Sequence, residues 1–274
     1  FAGREDDLRY NMVKNMPEQR DSEFTWKGFQ ETTNNELVNN FANFVNRVIV
    51  LTNKYYDGKV PAFDDNQQII GSKDSEELST HEAELVDLHD RLQDVGQHIR
   101  QYDFRGALQA LMEISSAGNQ LLQFNEPWKQ QKTDPELVKV VMNLGIQIVA
   151  ALSVACRPFM PFTSDKMRSM LHLPAIAEKG ELLDILHQLS EGEVIVPAGH
   201  QLGEPTHLFT RIPDQVIDAQ IQKLEEADAN NQDGATTEVE LDPIKDHIEF
   251  PDFTKMDLRT GTIIAAQKVK KTHN

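Results

Sequence analysis

The run DPELVKVVMNLGIQIVAALSVACRP, residues 134–158, decides the fold class. Asp134 is a good helix N-cap, and Pro135 suits the first helical position, where a backbone N–H has no helical partner anyway. Apolar residues then cover most of the helix circumference, which marks a helix buried on all sides. Lys139, Asn143 and Gln147 interrupt the run, so it reads as a core helix and not as a membrane span. Arg157-Pro158 ends it, because a proline disfavours helical geometry in the residue before it. A helix buried all round needs other helices around it, and the flanking sequence supplies them.

Immediately upstream stands Gln123-Phe124-Asn125-Glu126-Pro127-Trp128-Lys129. Pro127 lacks a backbone N–H and biases Glu126 away from helix, so the preceding helix is expected to end near Asn125 with Trp128 on a loop. A loop tryptophan between Asn, Pro and Lys can be a flat stacking surface for a nucleobase. On local sequence alone the favoured reading is a lid tucked back over the bundle. That preceding helix covers about 104–124, with Leu108, Leu111, Ile114, Leu121 and Leu122 as its apolar face. Another spans about 75–101, with Leu78, Leu85, Leu88, Leu92, Val95 and Ile99 on one side and a solvated acidic face on the other.

The first strong helix is predicted over about 33–57. Thr33 and Glu36 have capping-box spacing, Gly58 suits the C-terminus, and Leu37, Phe41, Phe44, Val48, Leu51 and Tyr55 form a buried seam. Beside that seam run Asn40, Asn43, Arg47 and Lys54. Asn43 and Arg47, four apart, point the same way. An amide and a planar guanidinium suit the edges and faces of bases; Arg47 could also simply pair with a carboxylate. Shorter helices are expected near 163–171, 180–190 and 214–227, with a short strand at Val194-Ile195-Val196. Phe24, Trp26 and Phe29 read as core anchors.

The 274-residue chain is 39% apolar and 26% charged, with a net charge of −17. That charge argues against phosphate binding, but it is unevenly spread. Residues 61–100 carry ten acids against three bases, and residues 225–249 nine against one. Other faces are left nearly neutral, so any anion binding should rest on specific contacts. A single cysteine, Cys156, rules out an intramolecular disulfide and a multi-cysteine zinc site, and its apolar neighbours mark it as a core thiol. There is no signal-like start and no membrane span, so a cytoplasmic protein is expected. No Gly-rich phosphate loop or His-Glu-x-x-His motif occurs. His81, His89 and His98 are expected at the surface or its boundary, His200 and His207 in backbone-organising roles. No active site assembles, so no catalytic residue and no metal-binding residue is expected.

Several motifs in order resemble the methionyl-tRNA synthetase family downstream of its catalytic domain. They are Asn43-Phe44-Val45-Asn46-Arg47 with Asn53-Lys54-Tyr55, then Pro127-Trp128, and Arg157-Pro158-Phe159-Met160-Pro161. Next come Ala198-Gly199-His200-Gln201-Leu202-Gly203 before Leu208-Phe209, and finally Asp252-Phe253-Thr254-Lys255-Met256-Asp257-Leu258-Arg259. The resemblance implies an all-α fold: the helical-bundle anticodon-binding domain of class I aminoacyl-tRNA synthetases, with a short C-terminal extension. It implies residues 1–20 as the trailing helix of a catalytic domain, 21–227 as the bundle, 228–249 as an acidic linker, and 250–274 as the start of an oligonucleotide-binding-fold domain. The chain then reads as a piece of a methionine–tRNA ligase, inactive alone. ATP and zinc would belong to the catalytic domain and no cofactor to this part. Its partner would be methionine tRNA, with no membrane. The parent could dimerise through the C-terminal domain, and this piece is expected to be a monomer. Asn43, Arg47, Pro127 and Trp128 would form the anticodon site, with Lys54 and Lys129 as candidate phosphate contacts. Two alternatives stay open: the helical domain of another class I synthetase, and an acidic helical protein-interaction module.

Overall fold

The computed structural model describes residues 3–18, 23–176, 181–191 and 193–233. The chain divides into two compact units, 1–226 and 227–274. The expected start of an oligonucleotide-binding fold at 250–274 lies outside the described residues, as does most of the expected linker.

The first unit is a helical bundle. Its helices are α1 (Glu5–Lys14), α2 (Trp26–Thr32), α3 (Asn43–Tyr56), α4 (His81–Arg100), α5 (Phe104–Asn125), α6 (Pro127–Gln130), α7 (Pro135–Ala155), α8 (Pro161–Met170), α9 (Glu181–Ser190) and α10 (Asp214–Asp233). The two-residue strands β1 (Ile69–Ile70) and β2 (Leu78–Ser79) pair antiparallel. As its composition requires, α7 is the centre. Asp134 Oδ1 accepts from Leu137 N at 3.0 Å, and α3, α4, α5, α6, α8 and α9 pack around it. Among the described residues it is the one helix long and apolar enough to cross a membrane, and it is 89% buried inside the bundle.

Two glycines let α3 come close. A Cβ on Gly118 of α5 would lie 2.4 Å from the Phe44 ring, and one on Gly145 of α7 would lie 3.0 Å from Val48. Phe44 and Val48 therefore seat in the notches left by missing side chains. Their outward neighbours in sequence are Asn43 and Arg47, so this packing sets where those two stand.

Several expectations change. Thr33 does not cap a helix. It lies inside one continuous helical rod that begins at Trp26, where Thr25 Oγ1 accepts from Gly28 N, and that winds as a π-helix over Thr33–Ala42. Glu36 is free of capping duty and instead binds Tyr10 and Lys14. Helix α4 starts later than expected, at His81, because Thr80 is its cap and Leu78 sits in β2 with its side chain exposed. Helix α10 runs on to Asp233, past the end of the first unit at 226 and past the expected start of the linker.

Residues 194–196 do not form a strand. Val196 N and O instead bond the carboxamide of Gln147, at 2.9 Å each. Two more carboxamides hold backbone in the same way, each accepting from the N–H and donating to the C=O of one residue. Asn125 holds Ile70 at 2.9 and 2.8 Å, and Asn34 holds Ile212 at 2.8 and 2.9 Å. A buried peptide group must find partners. Here side-chain amides provide them, for Val196 and Ile212 and for Ile70 at the end of β1.

Helix α1 is part of this unit: Tyr10 is buried in the main core, and Asp6 Oδ2 accepts from Thr163 N at 2.6 Å at the start of α8. Phe29 is buried with Ile212 and Ile217, while Phe24 stays partly exposed.

Candidate nucleic-acid interface

The Pro-Trp segment owes its position to Asn125. As the last residue of α5, Asn125 clamps Ile70 and also donates to Leu121 O at 2.9 Å. Glu126 then takes a left-handed conformation, φ +41°, and its N–H closes on Leu122 O at 3.0 Å. That turn ends α5 where expected. The Trp128 segment, however, is helical and not a loop. Pro127 begins the single turn α6, because its fixed φ suits a first helical position. Pro127 is buried and Trp128 is 36% exposed.

Arg47 reaches this turn from α3. Its guanidinium carbon lies 4.6 Å from the centre of the Trp128 ring, a cation–π arrangement. Partial burial pulls the Arg47 pKa below its ordinary value; a guanidinium still stays charged at neutral pH. One turn back on α3, Asn43 is exposed and donates from Nδ2 to Asn119 Oδ1 at 3.3 Å. The fold thus gathers Asn43, Arg47 and Trp128 on one surface, with Pro127 buried beneath the indole's turn.

The two lysines are placed differently. Lys54 lies on the same stripe of α3, three turns on, roughly 16 Å along the axis from Asn43. It is exposed, with Nζ 5.4 Å from the Tyr55 ring. Lys129 adjoins Trp128 but pairs with Glu126 at 2.6 Å. A phosphate would have to compete with that carboxylate.

Behind Asn43 lies a polar seam between the π-helical stretch and α5. Asn119 Nδ2 donates to Asn40 Oδ1 at 2.9 Å, Asn40 O at 3.1 Å and Ser115 O at 3.2 Å. Asn40 Oδ1 also accepts from Ser115 Oγ at 3.2 Å, and Asn40 Nδ2 donates to Ser116 Oγ at 2.9 Å. Ser116 Oγ in turn donates to Met112 O at 3.0 Å. Sequence reading reached Asn40 but missed Asn119. The signal available was Ser115 and Asn119 four apart, a polar stripe on an otherwise apolar helix.

The remaining candidates behave as structural groups. His81 is buried and not at the boundary: it stacks on Phe63 at 4.0 Å, and its Nε2 meets Asn143 Oδ1 at 3.0 Å. Sequence position put it on an acidic helix, but as the first residue of α4 it turns inward. His98 bonds Asp103 at 2.8 Å near the surface. His200 Nε2 meets Leu171 O at 2.7 Å, the backbone role expected of it, whereas His207 is exposed. Cys156 is buried, and burial pushes its thiol pKa far up, as suits an inert core thiol.

Residues 73–228 match the family model described as the anticodon binding domain of methionyl tRNA ligase. The chain belongs to that family. Residues 3–49 match the model of class I tRNA synthetases for methionine. The methionine–tRNA ligase of Flavobacterium johnsoniae is 40% identical over the whole chain, and that of Bacteroides fragilis is 40% identical over 99% of it. The chain spans 39% and 36% of the lengths of these relatives, respectively. Among solved structures, the apo methionyl-tRNA synthetase of Mycobacterium tuberculosis aligns with a TM-score of 0.59 at 21% identity, over 76% of this chain and 39% of that one. At that identity the match speaks to the fold, which is the methionyl-tRNA synthetase helical bundle.

Proposed function

We propose that this bundle recognises the CAU anticodon of methionine tRNA and so supports ATP-dependent aminoacylation in a cytoplasmic methionine–tRNA ligase. The observation that carries the reading is the contact of Arg47 with Trp128, which joins the α3 pair Asn43 and Arg47 to the indole on one exposed surface. Trp128 stacks a base, on a ring face that Arg47 leaves open. Asn43 and Arg47 read base edges, and Pro127 holds the indole in place. Lys54 and Lys129 meet the phosphate backbone. Binding energy at the anticodon is then used remotely, to place the acceptor end for reaction elsewhere in the enzyme.

ATP and zinc belong to the catalytic part of such an enzyme. Among the described residues there is no group of three or more His, Cys, Asp or Glu suited to a metal ion. The sequence also has no Gly-rich phosphate loop. This chain by itself acts as a monomer.

The test is binding of a CAU anticodon stem-loop at moderate salt, against a loop with a changed anticodon. The expected result is a clear preference for CAU that Trp128→Ala weakens by about tenfold to hundredfold. Equal binding of both loops by the protein with its catalytic part attached would overturn the reading and return Trp128 to a packing role.

A further inference from the structure

Amide groups are ambiguous by shape, since either end can be turned outward, and only hydrogen-bond partners fix which end points where. The seam behind Asn43 fixes each amide in turn. Met112 O can only accept, so the Ser116 hydroxyl donates to it. The Ser116 oxygen then takes the Nδ2 of Asn40, which turns Asn40 Oδ1 toward Ser115 and Asn119. There it meets Asn119 Nδ2, a donor held also by two backbone carbonyls, Asn40 O and Ser115 O. Asn119 Oδ1 is thereby aimed at Asn43 and takes its Nδ2. The carbonyl oxygen of the exposed Asn43 is left as the outward end.

We infer that Asn119 is a positioning residue that presents Asn43 as a hydrogen-bond acceptor, so that this position selects a base carrying an exocyclic amine over one carrying a carbonyl there. The inference rests on the anticodon-binding reading and sharpens it. A freely turning amide would accept from an amine or donate to a carbonyl with little preference. An amide with one N–H anchored from behind keeps its carbonyl oxygen as the outward end and so favours a donor, with its second N–H as the lesser competitor. Facing a carbonyl, it leaves two acceptors opposed and unpaired, which is how a hydrogen-bonding site rejects the wrong partner. The relay starts from a backbone carbonyl inside α5, so the orientation is inherited from the helix.

The experiment measures full-chain affinity for the CAU loop and two variants in which one amine becomes a carbonyl: cytosine to uracil at the first position, and adenine to hypoxanthine at the second. The wild-type protein should lose about tenfold for one of the two swaps. Asn119→Leu should shrink that ratio towards one, and Ser116→Ala should shrink it in the same direction by less. Asn43→Asp added to Asn119→Leu should restore the ratio, because a carboxylate offers only acceptors whichever way it turns. A purely structural role for Asn119 would lower affinity for all three loops together and leave the ratio alone.

An unchanged ratio in a folded Asn119→Leu protein overturns the proposal; if that variant does not fold, the Ser116→Ala ratio decides. If neither swap matters while CAU is still preferred over an unrelated anticodon, the proposal fails and the anticodon reading stands. If CAU is not preferred at all, both fail.

Discussion

The Arg47 guanidinium lies over the Trp128 indole, 4.6 Å from the ring centre. The contact covers one face of a side chain that is 36% exposed. It should hold the ring with about 0.5–1 kcal/mol, the usual worth of a cation–π contact near the surface. In a Trp26→Phe background, so that one indole reports, Arg47→Ala should increase acrylamide quenching of Trp128. It should also weaken CAU loop binding. Unchanged quenching would mean that the contact contributes nothing to the ring's position.

Gly118 is where α5 makes room for Phe44, and a methyl group there would meet the ring at 2.4 Å. Phe44 is fully buried and cannot swing away. Gly118→Ala should therefore destabilise the bundle by about 1–3 kcal/mol, although the change would favour an exposed helix. Adding Phe44→Leu should return part of that loss, read as the thermal midpoint of the double variant against the single one. Because Asn43 precedes Phe44, the single variant should also weaken loop binding.

Gln147 is a buried carboxamide that satisfies both polar groups of the Val196 peptide and donates to Asn143 Oδ1 at 3.0 Å. Gln147→Leu keeps the volume and removes the partners. The expected cost is about 2–4 kcal/mol, since unsatisfied buried groups lose their hydration without compensation. Hydrogen exchange at the Val196 amide should speed up more than exchange along α7. A variant as stable as the wild type would show that water replaces the clamp.

Burial holds the pKa of His81 below its ordinary value, against the smaller opposing effects of the Asn143 bond and the charge of Asp65. The cavity it borders, about 720 Å³, is also lined by Glu82, Glu191 and Glu193. The unfolded chain takes up a proton near pH 6.5 while the folded one does not, so the neutral ring stabilises the fold above that pH. Stability should fall as pH drops through about 6.5 towards the lower folded value. His81→Gln keeps a donor for Asn143 and cannot titrate. The difference in thermal midpoint between wild type and His81→Gln should shift against the wild type from about pH 7.5 to about pH 5.5. A difference independent of pH would remove His81 as its source.

Where capping and periodicity are strong, the elements are legible in the sequence. Asp134-Pro135 starts α7, Pro127 stops α5 at Asn125, and the seam of Leu37, Phe41, Phe44 and Val48 is buried. The misses fall where a local signal had a competitor. Thr33 and Glu36 have capping-box spacing, yet the helix had already begun at Trp26. Val194–Val196 has strand composition, yet Gln147 takes the peptide bonds a sheet would need. His81 lies in an acidic run, yet it is turned inward by its place at the start of α4.

The linear chain alone was enough for the all-α class and the central buried helix, and it singled out Asn43, Arg47 and Trp128 as candidates by their chemistry. These rest on periodicity, backbone restrictions and side-chain chemistry, which act within a few residues. It took the folded bundle to bring Arg47 to Trp128, to set three carboxamides on distant backbone, and to stand Asn119 behind Asn43. The places of Asn43 and Arg47 depend on how closely α3 approaches α5 and α7. That distance is set by Phe44 over Gly118 and Val48 over Gly145, contacts between residues far apart in the chain that no local pattern records.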